Sequence, residues 1–354
     1  MRTLTKLDGD SSRARRELHD HIQGSGPLAR HTVDSHGQRQ AGASSFHESA
    51  EKHVTGKATY IDDIKTPQDA LYVALGLSPV AHGTLTKLEL DAVRQAPGVV
   101  DVITLHDVPG HTDIGPVFPG DPIFVDQEIS YAGQCLFAVA ATSLQAARQA
   151  VKLATLHIDE QPASLDPVAA AGRQEVVRPT HVQERGDWQT TLQQAEQTIE
   201  GELFIGGQEH FYLEGQGCLA LPGLDGIHVI SSTQHPSEIQ DLAAAALGIS
   251  AAEITIEVRR MGGAFGGKET QAAPLAVIAA LGVQRTGRPV RFRLDRDDDF
   301  VLTGKRHDFR IDYAVGFDHA GRVRVERMAD FDLGGTIFGY LLLKRWQRDR
   351  DVFY

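Results

Sequence analysis

The sequence predicts an α+β fold in two successive folded parts, and three observations carry the prediction. Apolar runs of strand length, alternating or rich in β-branched residues, are interleaved with segments of helical period. A chain of 354 residues is too long for one ordinary core and long enough for two or three. Hydrophobic residues at 41% and charged residues at 23% match ordinary globular usage, which argues against a fibrous or largely disordered class.

Taken in order, residues 1–45 are rich in Arg, His, Ser, Gln and Gly and cannot bury enough surface to offset chain entropy, so a flexible arm is expected there. A first α+β domain is expected over residues 46–160, beginning at HVTGKATYIDD, His53 to Asp63. LYVALGLSPV reads as its first strand, and DAVRQAPGVVDVITL as a short helix before Pro97-Gly98 followed by a strand. GQCLFAVAATSLQAARQAVKLATLHID reads strand, helix, strand. Residues 161–193 carry prolines and scattered charges with weak periodicity, which predicts a surface linker.

A second domain is expected over residues 194–336. Its strands are TIEGELFIGG, QGCLALP, IHVISST and AEITIEVRRM, then PVRFRLD, HDFRIDYAVGF and GRVRVERMADF, with a hairpin turn at Asp318 to Gly321. SEIQDLAAAALG predicts a helix opened by a capping box of Ser237 and Gln240 and closed at Gly248, and PLAVIAALGV a second helix that stops near Gly287. Residues 337–354 form a divergent tail, an apolar patch followed by charges.

Composition narrows the function classes. A net charge of −12 argues against nucleic acid or an anionic membrane as partner, because phosphate binding requires clustered Lys and Arg. Two cysteines, Cys135 and Cys218, cannot build an iron–sulfur cluster or a cysteine-rich zinc site. No stretch reaches the length of an apolar membrane span, and the polar ELHDHIQ after Arg15-Arg16 argues against an export signal, so a cytoplasmic protein is expected.

Chemistry concentrates in MGGAFGGKET, Met261 to Thr270, between a strand and a helix. Gly262, Gly263, Gly266 and Gly267 let backbone approach a ligand closely, and a helix start offers N–H groups to oxyanions. Gly262 to Lys268 has the G-x-x-x-x-G-K spacing of a nucleotide P-loop, but Glu269 stands where a hydroxyl should ligate magnesium. A carboxylate there repels phosphate, which disfavours a P-loop-like nucleotide-binding module. The same carboxylate suits the positive end of a helix, and a second polar cluster, Gln208, Glu209 and His210, closes an earlier strand.

These strings carry a resemblance. GGQEHFYLE (Gly206 to Glu214), STQHPSEIQ (Ser232 to Gln240) and RRMGGAFGGKET (Arg259 to Thr270) resemble, in order, the molybdopterin-binding large subunit of the xanthine dehydrogenase/aldehyde oxidase family. LDRDDDFVLTGKRHDF, HVTGKATYIDD and SPVAHG extend the resemblance over roughly His53 to Thr336. It implies an α/β hammerhead domain followed by the first part of a molybdenum-cofactor-binding domain. It makes Gln208 the glutamine beside the molybdenum, Phe265 and Gly266 the residues flanking the metal, and Phe265 and Glu269 the substrate contacts, with Glu269 on a purine. Aldehyde-oxidising relatives tend to have an apolar residue at that place. The implied reaction is hydroxylation of a purine ring carbon, hypoxanthine or xanthine toward urate. Electrons would leave through iron–sulfur clusters and FAD on a small partner subunit in a hetero-oligomer, since this chain has no ligands for them.

Two departures from the family pattern stand out. Ala264 replaces a glycine of the usual GGGFGG, and family-like sequence fades after Gly335-Thr336. The general-base glutamate, an arginine and an alanine near the metal are expected downstream of this chain, so it contributes no catalytic base of its own. That predicts a truncated or split large subunit, active only with other pieces or a catalytically incompetent fragment. His210, His235 and His82 are read as structural histidines. Asp295 to Asp299 lacks the glycine and distal glutamate of a calcium loop and is read as a solvated acidic turn.

Overall fold

The computed structural model describes residues 47, 49–116, 119–175 and 182–332; the expectations for the 1–45 arm and the 337–354 tail lie outside them. The chain divides at Ala58/Thr59 into two units. Among the described residues, the first contains helix α1 (Ala50–Val54). All that follows concerns the second.

Its first half supplies β1 (Leu71–Leu77), β2 (Gly83–Glu89), helix α2 (Asp91–Arg94), β3 (Val99–Ile103), β4 (Glu128–Ile129), β5 (Cys135–Ala141), helix α3 (Leu144–Val151) and β6 (Thr155–Glu160). Within the stretch expected as a linker, two short helices form, α4 (Pro167–Gly172) and α5 (Trp188–Gln193). Asp166 caps the first through the N–H groups of Val168 and Ala169, and Asp187 the second through Thr190. Six-residue helices are too short to show a period in sequence.

The second half supplies β7 (Gln197–Ile205), β8 (Gly217–Pro222), β9 (Ile227–Ser231), helix α6 (Pro236–Leu247), β10 (Ile254–Glu257), helix α7 (Ala273–Thr286), β11 (Val290–Arg293), helix α8 (Arg296–Leu302), β12 (Phe309–Phe317) and β13 (Val323–Asp332). The predicted hairpin is present, with β12 and β13 antiparallel around Asp318 to Gly321.

Seven strands form one mixed sheet in the order β10-β9-β8-β11-β1-β5-β3. Its seam is the parallel pairing of β1 with β11, Leu71 opposite Val290, which joins strands from both halves of the sequence into one sheet. Two three-stranded sheets, β4-β2-β6 and β13-β12-β7, complete the architecture. β5 shows why the large sheet holds: all seven of its residues are buried. Ala138 and Ala140 join the core under α6 and α7, while Val139 and Ala141 join the core under α3. A strand covered on both faces reads as the continuous apolar run CLFAVAA.

α7 is buried on nearly every side and packs on β8, β9 and β11, and Gly287 ends it with a left-handed φ of 66°. The capping box expected at Ser237 and Gln240 does not form. Pro236 takes the first helical position, so the helix starts before Ser237, with His235 as the uncapped N-terminal residue. Gln240 instead donates to the carbonyls of Ala251 at 3.0 Å and Ile254 at 2.7 Å, tying α6 to β10. Among the described residues, no helix is long and apolar enough to cross a membrane.

Candidate functional site

Between β10 and α7 the glycine-rich loop crosses the chain that links β7 to β8. Gly263, Phe265 and Gly266 have φ of 94°, 55° and 92°; the middle value is strained for an aromatic residue. The crossing is close. A Cβ on Gly262 would lie 2.6 Å from Glu214 Cβ, and one on Gly267 would lie 2.8 Å from both His210 Cγ and Tyr212 Cε1. A backbone bond closes the contact, Glu214 N–H to Gly262 O at 3.1 Å, and within the loop Gly267 N–H donates to Ala264 O at 2.7 Å.

Beneath the loop lies a buried polar network. Lys268 has 0% side-chain exposure, and its Nζ lies 3.2 Å from Glu214 Oε2 and 2.8 Å from Ser232 Oγ, over the Tyr212 ring at 4.7 Å. Glu214 also accepts from Ser232 Oγ at 2.6 Å, Gly262 N–H at 3.0 Å and Ile61 N–H at 3.3 Å. Tyr212 donates its hydroxyl to Asp299 Oδ1 at 2.6 Å, and Gln216 Nε2 donates to the Tyr212 oxygen at 3.1 Å and the Gly267 carbonyl at 2.8 Å. Burial lowers the Lys268 pKa against the pull of Glu214, and burial with the Asp299 contact raises that of the Tyr212 phenol. Four of the strings singled out in sequence thus meet at one place: Tyr212 and Glu214 come from GGQEHFYLE, Ser232 from STQHPSEIQ, Lys268 from RRMGGAFGGKET and Asp299 from LDRDDDFVLTGKRHDF.

This network corrects two expectations. The N–H groups of Gly262, Gly266, Gly267 and Lys268 are all engaged within the protein, with Glu214, Gln234, Ala264 and Gln234 in turn, so the loop is not a phosphate cradle. Lys268, which a P-loop would extend toward phosphates, is buried and paired, and the nucleotide-binding alternative falls with it. Glu269 does not begin the helix either: α7 starts at Ala273 after Ala272, so the dipole argument does not apply.

The four residues implied by the resemblance take up different settings. Gln208 bridges to Arg306 through two backbone hydrogen bonds of 3.0 Å and keeps an exposed side chain. Phe265, at the loop tip, is 74% exposed. Gly266 has its N–H on Gln234 Oε1 at 3.0 Å, and Glu269 is half-buried just beyond. Nearby, Glu238 pairs with His235 Nδ1 at 3.0 Å; burial raises its pKa, and the charge of Glu269 adds to the shift. His210 stacks near Tyr212, and burial lowers its pKa, which fits the structural role expected of it. Asp299 is not part of a solvated turn as expected, being 1% exposed and bonded to Tyr212 and Thr303.

The donor set can be tested against a metal cofactor. Among the described residues, no three His, Cys, Asp or Glu side chains are grouped to hold a metal ion. Both cysteines are buried free thiols, with Cys218 pushed up to about 12 by burial. What the two crossing loops present is an amide, a carboxylate and a ring, beside the exposed side chains of Phe211 and Leu213. That set fits the surroundings of a metal that brings its own ligands, as the dithiolene of molybdopterin does. Gln216 Oε1, buried and without a partner, marks one acceptor the network leaves open.

Comparison with known proteins decides the family. Residues 55–162 match the aldehyde oxidase and xanthine dehydrogenase a/b hammerhead domain, and residues 171–340 match the molybdopterin cofactor-binding domain. The chain belongs to the xanthine dehydrogenase/aldehyde oxidase family. It is 36% identical over 308 residues to aldehyde oxidase 2 of Macaca fascicularis, covering 86% of this chain and 22% of that protein. It is equally 36% identical over 280 residues to xanthine dehydrogenase of Dictyostelium discoideum, covering 78% of this chain and 20% of that protein. Among solved structures, aldehyde oxidoreductase from Desulfovibrio gigas superposes with a TM-score of 0.69 at 25% identity, over 86% of this chain and 36% of that one. The chain therefore spans about a fifth of the length of these curated relatives, and its fold is the expected hammerhead domain followed by a cofactor-binding domain.

Sequence reasoning missed Gln234, Ser232, Tyr212, Gln216 and the pairing of Lys268 with Glu214. Most lie inside the quoted strings, but apart from the Gln216–Tyr212 bond, four residues apart, their pairings span 18 to 87 residues, and nothing local marks those.

Proposed function

We propose that this chain forms one wall of the active site of a molybdenum hydroxylase acting on purines. The observation that carries the purine reading is Glu269, a half-buried carboxylate beside the loop tip, where a heterocycle with ring N–H donors finds an acceptor. Overall similarity does not choose the substrate, since an aldehyde oxidase and a xanthine dehydrogenase match equally well.

When bound, the cofactor supplies oxidation of the ring carbon and takes up two electrons. The residues of this chain do the placing. Gln208 offers its side-chain amide to the cofactor's polar groups, Phe265 walls the slot that a flat ring enters, and Gly266 keeps the adjacent backbone free of a Cβ. Glu269 orients the purine and stabilises charge that develops on it. The iron–sulfur and FAD centres belong to a small partner subunit. The assembly is cytoplasmic.

Purified chain co-expressed with an electron-transfer subunit should contain molybdenum and release pterin on denaturation. Preparations free of both would sink the proposal. In an active assembly, Glu269→Val should shift preference from purines toward aldehydes; unchanged preference would refute the substrate assignment.

A further inference from the structure

Gln234 reaches the tip of the glycine-rich loop from the segment between β9 and α6. Its Oε1 accepts from the N–H of Gly266 at 3.0 Å and from the N–H of Lys268 at 3.2 Å, and its own backbone N–H donates to the Lys268 carbonyl at 2.9 Å. Two backbone N–H groups that are two residues apart and converge on one oxygen make a concavity of aligned dipoles, the arrangement that elsewhere collects anions. Here a neutral side-chain oxygen fills it. Both contacts are made by donors, so only the oxygen of the amide can serve there.

The loop needs that filler. Phe265 sits in the left-handed region at φ 55° and is 74% exposed, with its ring over Gly263, so packing alone does not hold it. The bonds on either side of Gly267 are what fix the turn: Gly267 N–H to Ala264 O at 2.7 Å, and the pair to Gln234. Ordinary backbone relaxation at Phe265 would turn the ring away, and that relaxation requires Gly266 to leave Gln234.

We propose that Gln234 is a positioning residue: it clamps the loop tip and thereby sets the direction of the Phe265 ring, and with it the width of the substrate slot. The second half of that statement rests on the reading of Phe265 as the wall of the slot.

The test uses the full chain and two variants, Gln234→Met, which keeps the volume and loses the acceptor, and Gln234→Glu, which keeps an acceptor oxygen. Amide hydrogen exchange of Gly266 and Lys268 should speed up roughly ten-fold in the Met variant, the size expected for one lost hydrogen bond, with α7 and β8 unchanged. The Glu variant should exchange no faster than wild type, because a carboxylate satisfies both donors. Unchanged exchange in the Met variant, or fast exchange in the Glu variant, would overturn the proposal. If the Met variant does not fold, the Glu variant decides alone, since exchange faster than wild type contradicts the clamp. In the loaded assembly, Gln234→Met should lower discrimination between a purine and a small aldehyde, and Gln234→Glu should restore it. The expected exchange pattern in preparations lacking pterin, wild type included, would support the clamp and count against the site reading alone.

Discussion

Removing either partner of the Lys268–Glu214 pair should destabilise the protein, and by unequal amounts. The ammonium is 0% exposed and the carboxylate 8%, and each has a different set of remaining partners. Glu214→Gln leaves a buried ammonium whose other contacts among the described residues are Ser232 Oγ and the face of Tyr212, the situation that typically costs about 3–5 kcal/mol. Lys268→Met leaves a carboxylate that still accepts from Ser232 Oγ and from the N–H groups of Gly262 and Ile61, so the loss is that of charge-assisted bonds, about 1.5–3 kcal/mol. The double variant strands neither charge and should cost less than the sum of the two. Urea unfolding followed by circular dichroism gives all three values. A Met variant at least as costly as the Gln variant would refute the claim that Glu214 is independently satisfied.

The pair also predicts a pH dependence whose sign is fixed. Burial holds the folded pKa of Lys268 below the ordinary lysine value of 10.5, so between the two values the unfolded chain binds more protons and stability rises with pH. Below the lowered value both states are protonated and the burial penalty is fully present. Wild type should show this alkaline gain relative to Lys268→Met; parallel profiles would count against it.

Two further outcomes follow from the geometry. Gly267→Ala places a methyl 2.8 Å from His210 and from the buried ring of Tyr212, which should cost about 1–3 kcal/mol in urea unfolding, while Gly206→Ala, with nothing within 4 Å, should be near neutral. An equal effect of the two would remove close approach as the reason for Gly267. Cys135 and Cys218 are buried thiols whose pKa values are raised by burial, so a thiol reagent should label neither in the native protein and both after unfolding; rapid native labelling would contradict their burial.

The strands and long helices were legible because their apolar periods are long and end at recognisable residues, as α7 ends at Gly287. The seam of the large sheet was not. Val290 pairs with Leu71 across more than two hundred residues, and neither strand carries a local mark of its partner. The capping box at Ser237 failed for a different reason. The Ser-x-x-Gln spacing is correct, but Pro236 is so well suited to the first helical turn that it moves the start, and Gln240 is taken by carbonyls of the following segment.

The glycine-rich loop shows most clearly what a sequence conceals. Four glycines before a lysine and a helix suggest backbone donors turned toward a ligand, and counting those donors reverses the picture, because Glu214, Gln234 and Ala264 engage those of Gly262, Gly266, Gly267 and Lys268. The glycines divide by cause. Gly263 and Gly266 permit left-handed backbone, whereas Gly262 and Gly267 permit a neighbouring segment of the same protein to approach. The lysine is then an internal counter-charge, and the group left facing outward is the ring of Phe265, held up by an amide from another strand end. Under the proposed function, recognition at this place acts through the exposed side chains of Gln208 and Phe265 and the half-buried carboxylate of Glu269 more than through the backbone N–H groups the motif first suggests.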